Sequence, residues 1–126
     1  PIVNENDTTA TDEIQFGDND LLAAKLAKIF KADLLIMLSA VEGLYESFND
    51  QTNQSTLIRQ VSKVTKDIHA MAGKASKSGK GGMTSKIEAA KIMLSMNSNM
   101  VITKGDAANP LLRLKKCVQS TWFNKS

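Results

Sequence analysis

Short apolar runs alternate with amphipathic segments along the chain of 126 residues. The clearest run extends from Leu34 to Leu38 and is typical of a parallel strand that is covered on both faces. Shorter strands are predicted at 1–3, 11–16, 100–102 and 121–123. Helices are predicted at 21–31, around 68–71, at 83–96 and at 109–117.

Two of these helices carry apolar residues at helical spacing, which predicts the side that faces the core. In the helix at 21–31, the residues on this side are Leu22, Leu26, Ile29 and Phe30. In the helix at 83–96, they are Met83, Ile87, Ala90 and Leu94.

The alternation of strands and helices predicts an α/β layer structure with a mostly parallel sheet. Ligands of such sheets bind in the crevice at the carboxyl ends of the strands. Polar segments at 4–7, 39–40 and 103–105 each follow a predicted strand. We therefore expect these three segments to lie together at a binding site.

Charge is distributed unevenly along the chain. The net charge of +3 combines −7 in residues 1–50 with +10 in residues 51–126. A uniformly basic nucleic-acid-binding domain would not show this division. An acidic segment facing a basic one suits a site that holds an amine, or a cation, beside a polyanion.

Composition excludes several other classes. Apolar residues make up 42% of the chain, enough for a globular core, but no apolar run is long enough to cross a bilayer. Cys117 and His69 are the only residues of their types, so the sequence predicts neither an internal disulfide nor a zinc site. We interpret Cys117 as a half-buried thiol and His69 as a residue on a helix face.

A stretch rich in glycine and lysine at 74–82 precedes the helix at 83–96. Glycines let backbone N–H groups approach an anion, and the following helix adds its amino-terminal dipole. The spacing of Gly73, Gly79 and Lys80 does not match a P-loop, and on composition alone a solvated flexible loop fits equally well. Lys86 differs, because a lysine in a first helical turn opposes the dipole and an anionic ligand would explain its position.

Amides and carboxylates cluster at 4–7 and 18–20. Such a mixture can hold a zwitterion, since a carboxylate accepts from an ammonium group and an amide donates to a carboxylate. A divalent-cation site and ordinary loop and capping chemistry remain the alternatives for these residues, although the spacing does not fit an EF-hand.

Four ordered motifs resemble glutamate 5-kinases of the amino acid kinase family. Ile2 to Asp7 and Phe16 to Asp20 resemble the family's glutamate-binding region, and Leu34 to Tyr45 resembles its strand and turn beside the nucleotide. Gly79 to Lys86 resembles its Gly-Thr-Gly-Gly-Met-x-Thr-Lys signature. The kinase half of bifunctional pyrroline-5-carboxylate synthases is also similar.

The resemblance implies a three-layer α/β/α sandwich, the amino acid kinase fold, and a role for each matching residue. The matches to Asn4, Asp7 and Asn19 hold L-glutamate, Asp20 organises the catalytic site, and Lys86 stabilises the transferred phosphoryl group. The matches to nucleotide-contacting positions are Ser39, Ala40, Gly81, Gly82, Met83, Thr84, Ser85 and Lys86. The resemblance also implies ATP accompanied by Mg²⁺, with no dedicated metal ligands predicted in this chain, and glutamyl 5-phosphate as the product, the first intermediate of proline biosynthesis.

Residues 1–126 correspond to the carboxy-terminal, nucleotide-binding portion of one kinase domain, without the amino-terminal half. We therefore expect this chain to be inactive alone. Two positions depart from the family pattern: Ala40 stands where Asp is usual, and Lys80 where Thr is usual.

Two alternative functions remain at this stage. One is a non-catalytic module that binds nucleotides or polyanions through the lysines between 74 and 91, and the other is an amino acid kinase with a different substrate. We expect a cytoplasmic enzyme, a homo-oligomer in its full-length form, with no nucleic-acid or membrane partner.

Overall fold

The structure is a computed structural model that describes residue 2 and residues 18–46, 55–77, 82–106, 108–116 and 119–125. Its elements in chain order are α1 (Asp18–Ile29), β1 (Leu34–Ser39), β2 (Gln60–Val61), α2 (Lys66–Lys77), α3 (Met83–Ser95), β3 (Asn99–Lys104), α4 (Pro110–Lys115) and β4 (Ser120–Phe123). The predicted strand at 11–16 lies outside the described residues, as does the one at 1–3 apart from Ile2.

The four strands form one sheet in the order β1-β3-β4-β2. β1 pairs with β3, and β2 with β4, in parallel, whereas β3 and β4 are antiparallel. The prediction of an α/β fold with a mostly parallel sheet is therefore confirmed. β2 was not predicted, since its two residues are a strand only through their pairing with β4.

The core lies between one face of the sheet and the helices. Met37, Met100, Ile102 and Phe123 project from this face and are buried together with residues of α1, α2 and α3. The predicted side of α3 is confirmed, because all four of its predicted apolar residues are buried.

The predicted core side of α1 is wrong. Ala24 and Ala27 are buried, whereas Leu22, Ile29 and Phe30 are 46%, 72% and 64% exposed. The physical reason is the partner helix: α1 packs on α3, which also buries alanines, and small side chains allow two helices to approach closely.

The opposite face of the sheet is only partly covered. Leu34 and Leu38 of β1 are 38% and 52% exposed, so the prediction that β1 is covered on both faces is wrong for the described residues. Helix α4 contacts β3, but none of its six residues is buried. In the stretch at 74–82, for which a flexible loop was one interpretation, residues 74–77 are helical, because α2 extends to Lys77. Residues 78–81 lie outside the described residues.

Candidate functional site

Two helix amino termini lie at the carboxyl edge of the sheet. α1 leads into β1, and α3 into β3, through short turns that contain left-handed residues, Lys31 (φ 53°) and Asn97 (φ 58°). Each helix therefore runs back along the sheet against its following strand, and its first turn lies beside the carboxyl end of that strand. This topology brings Asp20 and Lys86 to the same edge.

Asp20, Ser85 and Lys86 form a cluster that we call the α1–α3 junction. Lys86 Nζ lies 3.1 Å from Asp20 Oδ2. Ser85 Oγ lies 2.7 Å from the same oxygen and also 2.7 Å from the Gly82 carbonyl, so its single proton is shared between these two acceptors. The side chains of Lys86 and Asp20 are only 16% and 18% exposed. A lysine and a carboxylate in such a partly buried setting stabilise each other, and both side chains keep some contact with solvent.

Gly82 precedes α3 and lies beside Lys86. Its φ of 150° is one that residues with a side chain rarely adopt, and a Cβ there would lie 3.6 Å from Lys86 Nζ. The first turn of α3 contains no acidic residue. The amino-terminal dipole of α3 and the Lys86 amine therefore present positive charge at this edge, and Asp20 is the carboxylate that the described residues place beside them.

Ser39 and Lys104 are register partners at the ends of β1 and β3. The Gly105 N–H donates to the Ser39 carbonyl at 2.8 Å, so the chain after β3 stays attached to β1. A Cβ at Gly105 would lie 2.8 Å from the Cβ of Leu38, which explains why this position holds a glycine. The expectation that segments 39–40 and 103–105 lie together is confirmed.

The remaining predicted site residues are distributed as follows. Asn4, Asp7 and Gly81 lie outside the described residues. Asn19 is half-buried in the first turn of α1, and Ala40 is exposed just beyond β1. In α3, Thr84 is exposed, and Met83 is buried in the core, so only its backbone is available to a ligand at the surface.

Sequence reasoning missed an interaction in the turn after β1. The Tyr45 hydroxyl donates a hydrogen bond to the Glu42 carboxylate. Burial, and secondly the hydrogen bond and negative charge of Glu42, raise the pKa of Tyr45 to about 12. The spacing of three residues between a carboxylate and a tyrosine was the only available signal, and it is too common to be specific.

A depression with a volume of about 610 Å³ lies at the carboxyl end of α3, away from the α1–α3 junction. Its lining residues are Ser62, Lys63, Val64, Lys91, Leu94, Ser95 and Lys125. Lys91 also lies 3.8 Å from Glu88, which in turn lies 3.7 Å from His69. Lys86 and Lys91 therefore lie on different surfaces, at opposite ends of α3, and do not form one continuous basic surface.

The described part of the chain contains neither a membrane-spanning helix nor a cluster of metal-binding side chains. No helix there is long and apolar enough to span a bilayer. No group of three or more His, Cys, Asp or Glu side chains there could hold a metal ion.

The fold and the α1–α3 junction define an α/β protein that can receive an anionic ligand at the carboxyl edge of its sheet. The model of the amino acid kinase family matches residues 1–104. The chain belongs to the amino acid kinase family.

Individual relatives agree with this assignment. The chain is 48% identical over 124 residues to a glutamate 5-kinase of Nitrobacter hamburgensis, covering 98% of this chain and 33% of that protein. It is 44% identical over 127 residues to a glutamate 5-kinase of Rhizobium johnstonii, covering 100% of this chain and again 33% of that protein. This chain thus spans about a third of the length of these relatives.

Among solved structures, carbamate kinase from Giardia lamblia bound to AMP-PNP superposes with a TM-score of 0.58. The alignment covers 86% of this chain and 36% of that one at 20% identity. At this identity the likeness confirms the amino acid kinase fold and carries no statement about the substrate.

Proposed function

We propose that residues 1–126 are the carboxy-terminal, nucleotide-binding part of the kinase domain of a glutamate 5-kinase. The whole enzyme would transfer the γ-phosphoryl group of ATP to the side-chain carboxylate of L-glutamate and release glutamyl 5-phosphate and ADP. The likeness to glutamate 5-kinases at 44–48% identity supports this substrate. The observation that carries the catalytic role is the pairing of Lys86 with Asp20 where the amino termini of α1 and α3 meet.

The chemistry requires no general base. A glutamate side chain has a reference pKa near 4.3, so the attacking carboxylate is already ionised at neutral pH. The barrier arises because one anion must approach another. Catalysis of such a reaction consists of positioning and neutralisation of charge.

The α1–α3 junction suits this task. The Lys86 amine and the backbone N–H groups at the start of α3 would neutralise the phosphoryl oxygens. Ser85, when its hydroxyl donates to Asp20, would help to keep that carboxylate in place. Asp20 would hold the amine ready before the phosphate arrives. Ser39, Ala40 and the segment 81–86 would contact the nucleotide, and Asn4, Asp7 and Asn19 would hold glutamate.

Mg²⁺ fits this site only as a partner of ATP. Asp20 is the one carboxylate of the junction, and its Oδ2 already interacts with Lys86 and Ser85. Mg²⁺ commonly binds through substrate phosphates and water with few protein ligands, and bound in that way it would neutralise part of the phosphate charge.

Further residues of the kinase domain would complete the site, and the chain alone would be inactive. Among the described residues, the outer edge of β1 has no pairing partner, and several apolar residues of α1 and β1 are exposed. These surfaces support the proposal, because a larger domain would cover them. As a glutamate 5-kinase, the full-length protein would act in the cytoplasm as a homo-oligomer and catalyse the first step of proline biosynthesis.

The test is an assay of the full-length protein with MgATP and a panel of acceptors, with acyl phosphates trapped by hydroxylamine. We expect hydroxamate from glutamate, and none from aspartate or acetylglutamate. Formation of hydroxamate from another acceptor would show an amino acid kinase of different specificity. Salt-sensitive binding of phosphate polymers with no turnover of any acceptor would instead support the polyanion-binding module.

A further inference from the structure

The hydroxyl of Thr121 joins three segments that are far apart in the sequence. Thr121 lies in β4, paired with Ile102 of β3, and is 0% exposed. Its Oγ1 accepts a hydrogen bond from the Leu44 N–H at 2.9 Å and donates one to the Ile58 carbonyl at 2.6 Å. Because a hydroxyl has a single proton to donate, both bonds together fix its orientation. We call this arrangement the Thr121 clamp.

The clamp holds the inner end of a short ladder. Segments 44–46 and 56–58 pair in antiparallel fashion, with a backbone hydrogen bond of 2.8 Å at each end. This ladder connects the turn after β1 to the segment that leads into β2. Through Thr121, the position of that turn depends on β4, which is distant in sequence.

Gly43 shows how closely the turn approaches β4. A Cβ at Gly43 would overlap Thr121 Oγ1 and would lie 3.0 Å from both the Cβ and the backbone nitrogen of Thr121. The contact therefore leaves no space for any side chain. A glycine is required here for the close approach itself.

The turn begins where β1 ends, beside Ser39, at the edge where the α1–α3 junction also lies. We propose that Thr121 is a positioning residue for nucleotide binding, whose hydroxyl holds the turn at 42–45 so that this side of the nucleotide site is preformed. The inference rests on the proposed function for the identity of the ligand, MgATP. The family model matches residues only up to 104, so β4 and Thr121 lie outside that match.

The experiment compares Thr121→Val with Thr121→Ser in the full-length protein. Valine keeps the shape of threonine but removes both hydrogen bonds, whereas serine keeps the hydroxyl. For Thr121→Val we expect the Kd of MgATP, measured by calorimetry, and the KM for ATP to rise about tenfold, because part of the binding free energy must then order the turn that the two hydrogen bonds hold in the wild type. For Thr121→Ser both values should stay within about twofold of wild type, and the KM for glutamate should change by less than about twofold in either variant.

A valine variant with wild-type MgATP affinity would overturn the inference. So would equal increases in both KM values, or a serine variant as impaired as the valine variant, since either result would indicate a general packing role.

If Thr121→Val does not fold, Gly43→Ala displaces the turn from the other side and should show the same selective rise for ATP. Gly73→Ala is its control, because a Cβ at Gly73 meets no atom within 4 Å. An unchanged Kd for MgATP in the Gly43→Ala variant would contradict the inference. These binding measurements do not require turnover of glutamate, so they decide the inference even if the proposed acceptor is wrong.

Discussion

The α1–α3 junction and the Thr121 clamp hold the same edge of the sheet by different means. The junction is ionic, and its two charged side chains keep 16% and 18% of their surface exposed. The clamp is neutral, its hydroxyl is fully buried, and its donor and acceptor directions are both used. A partly exposed ion pair can exchange one partner for an incoming phosphate, whereas a satisfied buried hydroxyl cannot. This difference is why we propose that the junction responds to the ligand, whereas the clamp provides a fixed frame.

Replacement of Lys86 tests the reactive member of this comparison and should have the largest effect. We expect Lys86→Ala in the full-length protein to lower kcat by a hundredfold or more, because about 3–4 kcal/mol of transition-state stabilisation is lost when one such donor is removed. The measurement is the initial rate of hydroxamate formation at saturating glutamate and MgATP.

Lys91→Ala is the matched control for this variant. Lys91 lies in the same helix, is half exposed, and faces the depression at the other end of α3. Its removal should leave kcat unchanged, and a wild-type rate for Lys86→Ala would refute the role of the junction.

Replacement of Asp20 separates the charge of the junction from its hydrogen bond. In Asp20→Asn the amide oxygen can still accept from Ser85, but the ion pair with Lys86 is lost. We expect kcat to fall by about ten- to a hundredfold, since hydrogen bonds to charged groups contribute about 1.5–3 kcal/mol. Asp67→Asn, an exposed acid in the first turn of α2, is the control. A larger loss for Asp20→Asn than for Lys86→Ala would mean that Asp20 itself contacts the reacting groups.

For the free energy of unfolding, a change in the clamp should have a larger effect than a change in the junction. Thr121→Val should lower the free energy of unfolding by about 1–3 kcal/mol, because the buried Leu44 N–H and Ile58 carbonyl lose their partner. Asp20→Asn should lower it by a smaller amount, about 1 kcal/mol, because the amide oxygen can still accept from Lys86 and Ser85 and only the charge of this mostly buried pair is lost. Urea denaturation of the full-length variants measures both. Equal losses would show that the junction is also part of the rigid frame.

The buried side of a helix can be predicted from sequence when the pattern of its own residues decides it, and not when the size of side chains on a distant element decides it. α3 follows its pattern because Met83, Ile87 and Leu94 all face the sheet or the neighbouring helices. α1 does not follow its pattern, because the size of the side chains on α3, which are distant in sequence, selects the alanine side of α1.

The same distinction applies to the site. Lys86 and Asp20 were found through motifs that are each contiguous in sequence, and the structure then brought them to 3.1 Å. Thr121 could not be found in this way, because its two partners lie 77 and 63 residues away and no motif contains them. A single buried threonine in a strand looks the same in sequence whether it is a clamp or an ordinary β-branched residue.

The titration of Tyr45 should show the smallest change, and it reports on the turn that the clamp holds, because Tyr45 follows Leu44 directly. Its pKa of about 12 should appear in the ultraviolet titration of the native full-length protein, taken as the difference between wild type and Tyr45→Phe. In the urea-unfolded protein the pKa should be near 10. Because folding favours the neutral phenol, this contribution to stability is present below pH 10 and is lost as the pH rises from about 10 to about 12.

The pKa of Tyr45 in variants of the surrounding residues then shows whether the clamp and the junction act independently. Glu42→Gln should lower the pKa of Tyr45 only in part, since burial is the largest cause of its shift. Thr121→Val should also lower the pKa of Tyr45, because the turn is no longer held against β4, whereas Lys86→Ala should leave it unchanged. If Lys86→Ala moved the pKa of Tyr45 as far as Thr121→Val does, the junction and the clamp would be one coupled unit, and the division between a responsive part and a fixed part would have to be abandoned.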